Sequence, residues 1–460
     1  MDLILSSNSL VNNPNVMHVA VTELASGFAP HGFADHAVRS SDVAPIQERQ
    51  VTRDSHILLA TTGQLPSTAR LAMELHEAGA QVSLIAPNNH SAWTLQLLRN
   101  RDTYRAAAPR RGLEAALLRL RPDMVIPCDE RTVRDLHAVA GRTSHDSVKR
   151  LIEASTAPAV SYPIITSRAA LLALARQAGV RVPPSMALPD QAALGQWMDR
   201  HDPPFVLKAD GSWAGFGVRI ISNAATAQDA YARMTRPASA RLALRESLLE
   251  GNHFQIRSWL RRERPAMSVQ GYVDGWPANI GVACWQGEVL AATCAEAVAT
   301  TSATGPSTVA RLIDNPEMID SATRIVKALG LSGMIGFDFM IEAATGAAYL
   351  IEMNPRNTPI CAIRLGHGRD LAEALVARIS GRPVRERPPR TERDIVVFFP
   401  DTWREDPASH FLHSGYHDVP WEQPDLVRTL MLPDRRDRYR IWRVLRRAWL
   451  AINTGRDSPR

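Results

Sequence analysis

Twenty residues in the second half of the chain constrain it most. Met334–Met353 reads as two strands around a short turn, AATGA, centred on Thr345. In an antiparallel pair with that centre, Asp338 stands directly opposite Glu352. Side chains alternate with period two along a strand. One face then carries Gly336, Asp338, Met340, Glu352 and Asn354. The other carries Ile335, Phe337, Phe339, Ile341, Tyr349, Ile351 and Met353, an apolar face made for a core. Two carboxylates opposed across strands repel unless something neutralises them. A hard divalent cation does so, held by two carboxylates and an amide oxygen. On the hairpin alone, a solvated outer face with two coincidental acids is the competing reading. A one-residue slip would turn one acid into the core.

The rest of the chain supplies context. His56–Thr61, Gln81–Ala86 and Met124–Pro127 read as buried strands, and Pro66–Ala78 and Arg131–Ala140 as helices. Strands alternating with helices predict a parallel sheet with crossover connections. The first turn, GQLPS, has one glycine and is not a dinucleotide fingerprint. Further on, PFVLKADGSWAGFGVRII places Lys208 at a strand end before Gly211, Gly215 and Gly217. Such glycines let backbone N–H groups approach phosphate oxygens, and a strand lysine can hold charge beside them. The stretch LALRESLLEGNHFQI is a strand and turn that could offer backbone groups to an adenine edge, with Glu246 accepting from its amino group. At 460 residues, the chain has room for about three domains.

Charge narrows the function classes. The net charge is +6, but residues 428–460 alone hold ten Arg against three Asp, so the body is near neutral and gives no nucleic-acid signal. Only three of 53 basic residues are lysines, which adds interest to Lys208. The tail RYRIWRVLRRAWLAI has one apolar stripe among arginines. It is expected to dock on the body or on a second copy in a homodimer, with a membrane-surface or nucleic-acid patch as the sharper alternative. No apolar run reaches membrane-span length, and the N-terminus lacks a signal-peptide pattern. Four cysteines without CxxC spacing suit a cytoplasmic protein.

The order of these motifs resembles the ATP-grasp superfamily over residues 55–380, in particular the branch of carbamoyl-phosphate synthetase large chains and biotin carboxylase. The resemblance rests on Lys208 before the Gly-rich flap, on Glu246–Gly251 (ESLLEG), on Asp338-Phe339-Met340, and on LIEMNPR with Glu352, Asn354 and Arg356. It implies two α+β lobes clasping ATP behind a small Rossmann-like αβ domain, an overall α/β and α+β class. The expected division is an irregular extension 1–52, the αβ domain 53–160, and the ATP-grasp domain 161–385. The domain splits into a small lobe, about 161–245, and a large lobe, about 246–385. A linker and basic segment, 386–460, follow.

By the same resemblance, Asp338, Glu352 and Asn354 hold one or two Mg²⁺, or Mn²⁺ in their place. Lys208, Gly215 and Gly217 face the phosphates of ATP. Arg168 stands where the family has a phosphate-binding lysine. Glu246 and Leu249 meet the adenine, His253 the ribose, and Met340 lies beneath the base. Lys208 and Arg356 stabilise the transferred phosphoryl group. The implied reaction joins a small carboxylate to an amine through an acyl-phosphate, releasing ADP and phosphate. The alternatives are a kinase- or carboxylase-like enzyme and a non-catalytic ATP-binding module. His367, Arg364 and Glu296 are weaker candidates for the acceptor side.

Overall fold

The computed structural model describes residues 54–105, 108–211, 217–236, 240, 259, 262 and 264–432. They fall in one unit, Gln50–Arg460. The first sheet is parallel, in the order β3-β2-β1-β4: β1 His56–Ala60, β2 Gln81–Ala86, β3 Leu98–Thr103 and β4 Met124–Pro127. The helix Pro66–Glu77 starts on a proline, whose missing N–H costs nothing in the first turn. It links β1 to β2. The helix Glu130–Ala140 follows β4 and is capped by Asp129, which accepts from Thr132 N at 2.8 Å.

A four-stranded antiparallel sheet, β5-β8-β6-β7, comes next: β5 Ser185–Leu188, β6 Phe205–Ala209, β7 Val218–Ile221 and β8 Met267–Gly271. A seven-stranded sheet runs β13-β12-β9-β10-β11-β14-β15. Its strands are β9 Gly275–Trp285, β10 Glu288–Thr300, β11 Ser307–Ile313, β12 Gly333–Glu342, β13 Ala348–Asn354, β14 Ile395–Val397 and β15 Tyr416–His417. One face of this sheet packs Ile280, Phe337, Phe339 and Leu350 against the helices Arg168–Gln177 and Pro316–Leu329. On the other face, Ala283, Ala295 and Ala310 join a core shared with the first sheet and the helix Leu371–Ser380. The part of that face around Asp338 and Glu352 is left for the site.

Several expectations are corrected. The hairpin register holds from Gly336↔Asn354 through Asp338↔Glu352, and then shifts: Phe339 faces Leu350 and Ile341 faces Ala348. A β-bulge at Ile351 absorbs one residue. Leu350 and Ala348 are therefore fully buried, and Tyr349 and Ile351 are only half-buried. The lobe limits also differ from the expected ones. β8 lies beyond residue 246 yet pairs within the small sheet, and β14 and β15 extend the large sheet past residue 385. The helix Arg168–Gln177 buries Leu171, Leu172 and Ala175 in the large sheet's core, because its apolar stripe matches that of Pro316–Leu329.

Residues 382–393, which lead into the expected linker, form no helix or strand, but their arginines are pinned. Arg382 and Arg385 bond Glu373, Arg387 bonds Asp370 through two nitrogens at 2.8 Å, and Arg390 bonds Glu74 and Glu77. The extension 1–52 and the basic tail RYRIWRVLRRAWLAI lie outside the described residues. Among the described residues, no helix is long and apolar enough to cross a membrane. All four cysteines are unpaired and buried.

Candidate active site

The four- and seven-stranded sheets meet where each turns a polar face outward. On β6, Leu207 and Ala209 enter the small lobe's core, so Lys208 points the other way, toward the large sheet. It is 5% exposed, and burial pulls its ammonium down to about 8, against the attraction of Glu352. The Ile351 bulge makes this meeting possible. Its carbonyl accepts from Lys208 Nζ at 3.5 Å and from Gln270 Nε2, on β8, at 3.1 Å.

Asp338 and Glu352 sit side by side on the large sheet. Burial, and then the charge of Glu352, raise the Asp338 carboxyl to about 6. Like charges about 4 Å apart repel by about 4 kcal/mol at an effective dielectric near 20. Asn354 Nδ2 donates to Asp338 Oδ2 at 2.9 Å. Arg168, in the first turn of its helix, donates to Glu352 Oε1 at 2.5 Å and to the Ala209 carbonyl, and lies 3.7 Å from Asp210. Burial raises the Asp210 carboxyl, and Arg168 offsets part of that.

Arg356 hangs over the same site. Its Nε donates to Glu130 Oε1 at 2.6 Å and one of its terminal nitrogens to Asn354 Oδ1 at 3.2 Å. Glu130 belongs to the carboxyl edge of the first sheet, where Asp129 also gathers Thr61 Oγ1 and Thr62 N. The crevice at the carboxyl ends of parallel strands is where ligands of such sheets bind. Two glycines keep Arg356 in place. A Cβ on Gly336 would meet Thr358 Cγ2 at 2.4 Å, and one on Gly281 would meet Cys361 Sγ and Ile360 Cγ2 at 2.8 Å. The 355–362 segment can therefore lie flat on the sheet only over glycine.

Of the residues named from sequence, the fold brings together Lys208, Arg168, Asp338, Glu352, Asn354 and Arg356. Met340 shares the face of Asp338 and is half-buried. Gly217 precedes β7, its carbonyl accepting from Ala209 N at 2.8 Å. Gly215, Glu246, Leu249 and His253 lie outside the described residues. Arg364 is turned away, bonded to Glu77 at 2.9 Å, and His367 is exposed in a turn. Glu296 pairs with Arg311 at 2.7 Å and stands beside Ala278 of the core face, opposite to Asp338.

Sequence reasoning missed Glu130, Asp210, Ser268 and Asn279. Ser268 stands beside Lys208 in register, 2% exposed, its hydroxyl unpartnered. Ser268 and Asn279 each stand between core residues on their strands, the one signal that could have found them.

The donor set suits a hard divalent cation: two carboxylates and an amide, all oxygen donors, with one carboxyl raised by burial and by its neighbour's charge. Lys208 and Arg168 offer the positive charge a polyphosphate needs.

Residues 170–359 match the family described as ATP-grasp domain. That match covers less than half of the chain and marks this stretch as an ATP-grasp domain. Solved structures of the same fold include N5-carboxyaminoimidazole synthetase from Staphylococcus aureus (TM-score 0.50, 12% identity, 73% of this chain and 80% of that one). Carboxyaminoimidazole ribonucleotide synthase from Aspergillus clavatus, complexed with ATP, has TM-score 0.50 and 13% identity over 72% of this chain and 78% of that one. The biotin carboxylase domain of Hydrogenobacter thermophilus 2-oxoglutarate carboxylase, in complex with MgADP and bicarbonate, has TM-score 0.50 and 16% identity over 72% and 70%. No curated protein matches the chain.

Proposed function

We propose that this chain is an ATP- and Mg²⁺-dependent ligase that joins a small-molecule carboxylate to an amine through an acyl-phosphate, releasing ADP and phosphate. The observation that carries the reading is the row Asp338–Glu352, set across the cleft from Lys208 and flanked by Arg168 and Arg356. Phosphoryl transfer asks a protein for positioning and charge neutralisation more than for covalent chemistry. Asp338, Glu352 and Asn354 would hold one or two Mg²⁺, with Mn²⁺ as a substitute. The bound metal neutralises phosphate charge and aligns the transferred group. Lys208 approaches the phosphates from the small lobe. Arg168, released from Glu352, binds phosphate oxygens. Arg356 stabilises charge on the group in flight and exchanges its bond to Glu130 for one to that group. Closure of the lobes excludes water from a hydrolysable intermediate. The acid and amine would enter beside Glu130 and Thr62, at the first sheet's edge.

The test is product analysis with Mg·ATP, pooled amino acids and carboxylates, and hydroxylamine as trap. ADP, phosphate and a hydroxamate are expected. AMP with pyrophosphate would rule the chemistry out. Bicarbonate-dependent ADP release without a hydroxamate would move the assignment to carboxylation.

A further inference from the structure

The acidic row extends one strand further than the hairpin. Asp338 lies opposite Glu352 on one side and opposite Asn279 of β9 on the other. Ala278 and Ile280 enter the core, so Asn279 faces the cleft. Beyond it the row ends on Ala295 of β10, a methyl group with nothing to donate. Asn279 Oδ1 is shielded from solvent and has no hydrogen-bond partner. Asp338 Oδ2 is engaged by Asn354, and Glu352 Oε1 by Arg168. The three residues stand side by side across three strands, and Asn279 Oδ1 is the acceptor left without a donor. A buried acceptor without a donor costs about 1–3 kcal/mol. The group that donates to Asn279 Oδ1 while lying beside Asp338 and Glu352 is cationic, or is water polarised by a cation.

We infer that Asn279 is a positioning residue of the divalent-cation site, its amide oxygen accepting a hydrogen bond from a cation-bound water. The inference rests on the reading that Asp338 and Glu352 hold the cation. Mg²⁺ dehydrates reluctantly and keeps several waters, and each needs an acceptor. Asp338 and Glu352 supply charge. Asn279 fixes the orientation of a coordinated water on the β9 side, where no other polar side chain of the row stands. Groups that act through a metal's ligands in this way change affinity by about 10–100-fold when removed.

The experiment measures Mn²⁺ binding to the full chain with ADP present, by the loss of the free Mn²⁺ paramagnetic resonance signal. Four proteins are compared: wild type, Asn279→Leu, Asn279→Asp and Asp338→Asn. Asn279→Leu is expected to weaken Mn²⁺ about 10-fold, and Asn279→Asp to bind at least as tightly as wild type. A merely structural asparagine would not respond with opposite signs to these two changes. Wild-type affinity in Asn279→Leu, with binding lost in Asp338→Asn, overturns the inference and leaves the site reading standing. Equal binding by wild type and Asp338→Asn removes the site reading, and the inference with it. Weakening in both Asn279 variants also overturns it, since a carboxylate would then fail to replace the amide.

Discussion

Two buried clusters of acids and arginines lie in this molecule, and they are built on opposite terms. In the first, Arg364, Arg382, Arg385, Arg387 and Arg390 meet Glu74, Glu77, Asp370 and Glu373, binding the helix Pro66–Glu77 to the helix Leu371–Ser380. Glu373 is fully buried and takes bonds from two arginines. In the second, Asp338 receives one amide and Glu352 one guanidinium nitrogen, while Asn279 Oδ1 and Ser268 Oγ receive nothing. Buried charge is tolerated when paired and hydrogen-bonded. The carboxylates of the first cluster meet that condition from within the chain, leaving only Arg364 Nε and Arg387 Nη1 without partners, and the cluster is scaffold. The second leaves it to a ligand.

That contrast is open to attack by mutation. The largest effect is expected in the cleft: Asp338→Asn or Glu352→Gln should lower turnover at least about 1,000-fold. Ligand-free Asp338→Asn should melt no lower than wild type, because it removes one of two repelling charges. A clear fall in Tm would mean that this pair is scaffold too.

The strap should behave in the opposite way. Glu373→Ala leaves two arginines facing a buried gap and should cost about 3–5 kcal/mol in denaturant unfolding, while the kcat of the folded fraction stays near wild type. Burial alone would raise the Glu373 carboxyl, but Arg382 and Arg385 bring it down to about 2. A carboxyl depressed on folding stabilises above its unfolded pKa, and that contribution disappears as pH falls through the folded value. The stability gap between wild type and Glu373→Gln should therefore narrow from about pH 4.5 down to about pH 2. A constant gap would separate the strap's stability from its charge.

Between these lies Gly281→Ala. Its Cβ would press on Cys361 and Ile360. The expected cost is about 1–3 kcal/mol, with a fall in kcat as the segment carrying Arg356 lifts. A stability loss without a kcat change would uncouple that segment from the site. The smallest effect belongs to His367→Ala, an exposed turn position. Stability should hold within about 0.5 kcal/mol and turnover should not change.

Much of this could be read from the chain, and for local reasons. Alternation with period two aimed Asp338, Glu352 and Asn354 at one face, but the turn leaves Phe339 opposite Leu350, and only the Ile351 bulge brings Asp338 opposite Glu352. The βα rhythm of residues 56–140 announced a parallel sheet, because crossovers between parallel strands are usually helical, but β3, reached through the short 3-10 turn Ser91–Thr94, was not legible. Alternation and the βα rhythm are properties of neighbouring residues, and packing only ratified them. The bulge was not legible. Tyr349, Leu350 and Ile351 are three consecutive apolar residues, so alternation alone could not choose which of them to bury. The core beneath β13 chose Leu350, and so released the Ile351 carbonyl to Lys208 and Gln270. Nor were the arginines of 382–390 legible, since partners such as Glu74 lie more than 300 residues away and a Pro- and Arg-rich run looks like solvated linker. Local pattern specifies which way a side chain points. Which distant group it meets, and whether its charge is neutralised there, is decided when separate elements compete for the same buried space.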